Sequence, residues 1–249
     1  MKLHLLSDLH CEMEEYQPAD VQADMVILAG DIHSGAKAVG WAKSHYPQLP
    51  VILVPGNHEF YGSSIQATLR TMRASAAGTN IRVLDNESTV IQGIRFLGAT
   101  LWTDFELLGR NPALAMRQAR DSMSDYRVIR TEPDHQRLSP QETAAMHRHS
   151  RAWLAAELAK PHDGPTVVIS HHAPAIGSCD PRFHNDPLCP AFASNLEELV
   201  KSNAIALWVN GHTHFNHNYQ IGGTRIISNQ YGYPHENLPG FDPAMVVTL

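Results

Sequence analysis

Residues 51–59 read Val51-Ile52-Leu53-Val54-Pro55-Gly56-Asn57-His58-Glu59: a short apolar run, a turn, then an amide, an imidazole and a carboxylate. A β-branched run this short, closed by Pro-Gly, reads as a buried strand that delivers polar side chains at its carboxyl end. The pattern recurs along the chain. Residues 3–6 lead into Ser7-Asp8-Leu9-His10, and residues 25–28 into Ala29-Gly30-Asp31. Residues 166–169 lead into Ser170-His171-His172, and residues 205–209 into Asn210-Gly211-His212-Thr213-His214.

Between these runs the spacing predicts helices over 35–45, 63–76, 112–123, 140–159 and 196–201. The fourth has Ser139 as N-cap, Pro140 at the first helical position and Glu142 completing a capping box; Ser194 and Glu197 repeat the box spacing before the last helix. Hairpins are expected where 89–91 and 95–97 flank Gln92-Gly93, and where 218–221 and 224–227 flank Gly222-Gly223. Residues 244–249 read as a final strand. Strands alternating with helices, with hairpins added, predict one α/β domain with mixed sheets over residues 1–249. Two stretches, 103–111 and 173–193, carry no periodicity and are candidate lids.

The chain has 249 residues, 43% hydrophobic and 18% charged, with a formal net charge of -6. That is ordinary for a chain able to bury a large core. The acidic balance argues against broad nucleic-acid binding, which needs a basic stripe. Cys11, Cys179 and Cys189 have no paired spacing, so neither a disulfide framework nor a zinc ribbon is expected. The apolar start is too short for a signal peptide, and no stretch nears the roughly 20 apolar residues of a spanning helix, so a cytoplasmic location is expected. Oligomeric state is left open.

Asp8, His10, Asp31, Asn57, His58, His171, His212 and His214 each sit just past an expected strand. Strand-end loops in α/β sheets converge on one crevice. Taken singly, Asp-x-His or Gly-Asp is a turn or cap; in this order, each after an apolar run, they form a metal-binding set. Mixed oxygen and imidazole donors suit zinc, manganese, iron or nickel, and there are more candidates than one ion needs.

Asp8-Leu9-His10, Gly30-Asp31, Gly56-Asn57-His58-Glu59, His171 and Gly211-His212-Thr213-His214 together resemble the signature of the calcineurin-like metallophosphoesterase superfamily. The resemblance implies a four-layer sandwich of two mixed β-sheets flanked by helices. It also implies two metal ions, one held by Asp8, His10, Asp31 and His214, the other by Asp31, Asn57, His171 and His212, with Asp31 bridging. The implied reaction is in-line hydrolysis of a small-molecule phosphomonoester or phosphodiester by a water activated between the ions. His58 would be the catalytic residue that protonates the leaving oxygen.

Other residues carry weaker expectations. Trp102 and Tyr126 are candidates to stack on a substrate ring and Arg127 to grip a phosphate oxygen; Asn229 and Tyr231-Gly232-Tyr233 are candidates for the rim. His172 and His33 read as neighbours of the ligands, and His147 and His149 as solvated. No nucleophile elbow and no P-loop are present. After Asp31 the chain reads Ile32-His33-Ser34-Gly35 and lacks the acidic-arginine pair of the protein Ser/Thr phosphatases, which favours a small ester. The competing readings are a nuclease-type phosphodiesterase and an inactive scaffold of the same fold; the scaffold should have lost ligands, and none is missing.

Overall fold

The computed structural model describes residues 1–109 and 111–249. In chain order the regular elements are β1 Lys2–Leu6, β2 Met25–Leu28, α1 Lys37–His45, β3 Val51–Leu53, α2 Ile65–Ala76, β4 Ile81–Val83, β5 Glu87–Ile91, β6 Ile94–Ala99, α3 Pro112–Ser122, α4 Asp125–Val128, α5 Pro140–Leu158, β7 Thr166–Ser170, α6 Glu197–Lys201, β8 Leu207–Val209, β9 Asn218–Ile221, β10 Thr224–Ile227 and β11 Val246–Thr248. Among the described residues no helix is long and apolar enough to cross a membrane.

The strands form a five-stranded sheet ordered β11-β1-β2-β3-β4 and a six-stranded sheet ordered β5-β6-β7-β8-β10-β9. Both are mixed. In the first, β1, β2, β3 and β4 run parallel and β11 pairs antiparallel with β1. In the second, β6, β7, β8 and β10 run parallel, with β5 and β9 antiparallel at the edges.

Alternation along the strands builds the layers. Met25 and Ile27 of β2 face the second sheet and pack with Phe96, Val167, Ile169, Leu207 and Val209. Val26 and Leu28 face the other way, onto Val39, Trp41 and Ala42 of α1 and Met72 of α2. On the far side, Leu97, Val168 and Trp208 pack against Leu154 and Leu158 of α5 and Val200 of α6. The result is helices, sheet, sheet, helices: the expected four-layer sandwich.

Several local expectations need correction. Strand β4 was not expected, because Ile81-Arg82-Val83 is too short to show a pattern. The Ser194–Glu197 capping box does not form: the N-cap of α6 is Leu196, which offers no side-chain cap, and Ser194 Oγ instead accepts the Asp104 N–H at 3.1 Å. His147 is fully buried rather than solvated, its Nδ1–H shared between the Leu101 and Trp102 carbonyls at 3.1 and 3.2 Å; His149 is exposed. Of the stretch 103–111, residue 110 lies outside the described residues. The stretch 173–193 is a chain of short turns, Ile176–Ser178, Pro181–Phe183 and Cys189–Ala191.

The capping box at α5 is formed in full, Ser139 accepting from Glu142 N and Glu142 accepting from Ser139 N. Ser139→Ala is expected to lower stability by about 1 kcal/mol. A urea midpoint shift at constant slope would show it; an unchanged midpoint would mean α5 is held by packing alone.

Candidate metal centre

The carboxyl ends of β1, β2, β3, β7 and β8 bring their loops to one edge of the sandwich. Asp8, His10, Asp31, His212 and His214 there adopt left-handed backbone conformations, with φ between 46° and 69°. A non-glycine residue in that region costs roughly 1–3 kcal/mol and persists only where its surroundings hold it. Here they do: Asp8 N donates to Gly30 O and His10 N to Asp31 O, both at 2.9 Å. His212 N donates to Asp8 Oδ1 at 2.9 Å and His214 N to Gln230 Oε1 at 2.7 Å.

Asp31 lies at the centre. Its Oδ1 accepts the His58 N–H at 2.8 Å, and its Oδ2 is 3.4 Å from His171 Nε2 and 4.0 Å from both His10 Nε2 and His58 Nε2. Burial pushes this carboxyl up, but His171 and then His58 hold it well below the usual carboxylate range. The loop beneath it is tied by Glu59, which accepts from Asp31 N, Ile32 N and Gly56 N at 2.7–2.9 Å. Two glycines make room. A Cβ on Gly56 would stand 2.2 Å from Asp31 Oδ1, and one on Gly30 would stand 2.3 Å from His171 Nδ1.

The hydrogen bonds at the outer edges of the rings decide which atoms face inward. His171 Nδ1 donates to the Ala29 carbonyl at 2.9 Å, so Nε2 is the ring atom that faces inward, 2.9 Å from Asn57 Oδ1; burial opposes the charged ring, yet Asp31 raises it to about 10. Asn57 Nδ2 is already committed to Asp125 Oδ1 at 2.9 Å, which fixes its carbonyl oxygen inward. His10 Nδ1 lies 3.2 Å from Glu12 Oε1 and His214 Nδ1 lies 2.5 Å from Glu236 Oε2, leaving their Nε2 atoms facing each other at 3.2 Å. Each inward contact needs a proton on a ring Nε2 to be a hydrogen bond, and a cation can take the place of that proton. Asp8 Oδ2 and His212 Nε2 are buried without a hydrogen-bond partner. Burial, His172 and His171 depress His212 strongly, so it is a neutral imidazole, the form that ligates metal. The same causes, burial and His171, hold His172 near 3. Three sets of donor atoms lie close enough to share an ion: Asp8, His10 and His214; His10, Asp31 and His58; Asp31, His171 and His212. The donor set fits divalent cations.

His58 is set apart from its neighbour Asn57. Its Nδ1 contacts Glu12 Oε1 at 2.8 Å, its ring stacks on Tyr61 at 4.1 Å, and its Nε2 lies 3.3 Å from the Tyr233 hydroxyl. Burial opposes the charged ring, yet Asp31 and then Glu12 raise it to about 9. Glu12 moves the opposite way, to about 2: burial works against it, and the bonds to His10 and His58 prevail.

A cavity of about 660 Å³ opens onto Asp31, Asn57, His58, His212 and His214. None of the expected substrate contacts lines it. Trp102 is buried against Phe60 and His172, and Tyr126 is buried with its hydroxyl on Thr143. Arg127 is exposed, bonded to Ser122 O and Ser124 Oγ. Of the expected rim, Tyr233 does line the cavity, while Asn229 is a buried tie to Leu5 O and Asp242 O, and Tyr231 packs on Tyr16 and Phe241. Glu12, Glu59, Tyr61, Asp125 and Glu236 were not singled out. Glu59 stood inside a stretch quoted for other residues, and Asp125 directly precedes Tyr126; Glu236 had no local signal.

The profile of the calcineurin-like phosphoesterase family matches residues 1–216. An uncharacterized protein of Acanthamoeba polyphaga mimivirus is 27% identical over 216 residues, 80% of this chain and 73% of that one. The crystal structure of phosphopantetheinyl hydrolase from Mycobacterium tuberculosis superposes with a TM-score of 0.72 at 21% identity, covering 94% of this chain and 90% of that one, a likeness of fold.

The close approach at Gly56 gives a direct check. Gly56→Ala is expected to lower stability by roughly 1–3 kcal/mol through overpacking against Asp31. Denaturant unfolding measures it, and a midpoint equal to the parent's would mean the loop has room the geometry denies.

Proposed function

Because the chain belongs to the calcineurin-like phosphoesterase family, we propose that it hydrolyses a small-molecule phosphate ester with two bound metal ions. The observation that carries this is the pair of buried, inward-facing acceptors without a hydrogen-bond partner, Asp8 Oδ2 and His212 Nε2, beside the His10–His214 and His171–Asn57 contacts, whose inward atoms need a proton or a cation between them. In this reading Asp8, His10, Asp31 and His214 hold one ion and Asp31, Asn57, His171 and His212 the other. Asp31 serves both because a carboxylate has two oxygens. Such a pair, when bound, supplies Lewis acidity and an activated water for displacement at phosphorus.

The chain's own residues do the rest. Glu12 fixes the His58 tautomer and keeps Nε2 turned to the cavity. With Nδ1 held by Glu12, a proton on Nε2 is the one placed to reach the leaving oxygen. His58 belongs to one of the close donor sets, but its Nδ1 is taken by Glu12, and its stacking on Tyr61 suits a proton donor beside the ions. The Tyr233 hydroxyl stands beside Nε2, where it can steady that oxygen. Asp125 holds Asn57 with its carbonyl oxygen inward. Residues 1–249 act as one domain, since the insertion carrying Asp125 and the tail carrying Tyr233 both reach the site.

The first test is hydrolysis of bis(p-nitrophenyl) phosphate and p-nitrophenyl phosphate by metal-stripped protein with manganese, zinc, iron or nickel restored. Metal-dependent turnover is expected; none with any metal would overturn the reading.

Variants separate the roles. Asp31→Asn should lose both ions and turnover, whereas His58→Ala should keep its metal content and lose about 10²–10⁴ in rate, most on esters with poor leaving groups. Metal analysis alongside rates checks this, and a His58→Ala protein devoid of metal would make His58 a ligand. Asp125→Ala should weaken metal binding by roughly 10–100-fold, read by competition with a chromogenic chelator; unaltered affinity would mean Asn57 needs no support.

A further inference from the structure

The cavity is far larger than a phosphoryl group and falls within the roughly 300–1,000 Å³ typical of sites for drug-sized ligands. Its walls therefore carry information about the rest of the substrate. Met123, Phe183, Leu188, Phe192 and Leu238 contribute apolar surface to it. The Phe192 ring stacks on His212 at 4.9 Å and 28°, so this apolar wall begins at the metal-donor cluster itself. Phe183 is 54% exposed, one of few large apolar side chains left open to solvent, and it faces this cavity.

The charges around the same space are one-sided. Among the described residues that line it, Arg182 is the one arginine or lysine, and its guanidinium is engaged by Asp180 Oδ2 at 2.6 and 2.8 Å. Asp186 and Glu236 add negative charge; Glu236 is paired with His214, and Asp186 accepts from Leu188 N. Among the described residues, a second anionic group away from the imidazole cluster would meet carboxylates and no unpaired arginine or lysine, a repulsive device of the kind that sets specificity.

We propose that the ester cleaved here carries one phosphate joined to an uncharged organic group with several apolar carbons, seated against Phe183 and Phe192, and that esters with a second anionic group are rejected. This rests on the phosphoesterase reading of the site. It also sets nucleic acids aside, since every neighbouring nucleotide adds a phosphate charge.

The test uses non-hydrolysable phosphonates on metal-loaded protein: methylphosphonate, hexylphosphonate and 6-phosphonohexanoate, with binding measured by calorimetry and inhibition measured against whichever chromogenic ester turns over. Each buried methylene is worth about fourfold in affinity, so hexylphosphonate should bind at least about tenfold more tightly than methylphosphonate. The carboxylate of 6-phosphonohexanoate should remove most of that gain. Phe183→Ser, at an exposed position, should shrink the hexyl-to-methyl ratio several-fold. Equal binding of hexyl- and methylphosphonate, or preference for the doubly charged compound, would overturn the proposal. Chain-length preference in calorimetry without turnover of any ester would instead overturn the hydrolase reading and leave the binding specificity standing.

Discussion

One buried carboxylate organises this protein. Asp31 sits at the end of a central strand, between the two sheets, where an isolated charge would be prohibitively unfavourable. It is tolerated because the surroundings converge on it: the His58 N–H on one oxygen, His171, His10 and His58 around the other. Gly30 and Gly56 are required for the approach, since a side-chain carbon at either would overlap Asp31 or His171. Glu59 then fixes the loop by accepting the N–H groups that the turn leaves unpaired. The Gly-Asp and Gly-Asn-His-Glu stretches are therefore one device, two loops closed around one charge.

The separation of the two halves of the site is set by sheet packing. Asp8, Asp31 and Asn57 follow strands of the first sheet, and His171, His212 and His214 follow strands of the second. The apolar layer of Ile27, Phe96, Val167 and Ile169 between them is thus what holds carboxylate and imidazole donors at a working distance. Rotation of four of these groups is fixed by carboxylates, Glu12 for His10 and His58, Asp125 for Asn57 and Glu236 for His214, and that of His171 by the Ala29 carbonyl. A site held this way is preorganised, with little left to order when a ligand arrives.

The residues facing the cluster were legible because each follows an apolar run, and short continuous apolar runs with polar, often Gly-containing ends survive in a bare sequence. The fold was legible for the same reason: β2 and the hairpin of β9 and β10 fall where the pattern puts them. What orients the donors was not legible. Asp125 lies 68 residues from Asn57, and Glu236 lies 22 residues from His214, in a stretch without periodicity; only tertiary structure makes them neighbours. Trp102 and Tyr126 misled because an aromatic residue in an insertion looks like a binding surface until the insertion's own core is known. That core, with Phe60, Ile129 and Ala144, takes both rings. His147 misled through its helix, whose polar residues suggest solvent on a face that packs inward.

The same geometry explains why the cluster can be electron-rich without unfolding the edge of the sandwich. Left-handed residues at Asp8, His10, Asp31, His212 and His214, and buried acceptors without a partner at Asp8 Oδ2 and His212 Nε2, are each unfavourable taken alone. They are gathered where the chain has least freedom to relax, above a buried apolar layer and under backbone bonds that cross from one loop to the next. Relaxing any one residue would break bonds made by another: releasing Asp8 frees His212, and releasing Asp31 frees His58. Interlocking of this kind stores unfavourable electrostatics at one point, where a bound cation would relieve it. Under the proposed reading, the carboxylates that rim the cavity act in the opposite direction from the centre, which would admit a single phosphate and oppose further negative charge around it.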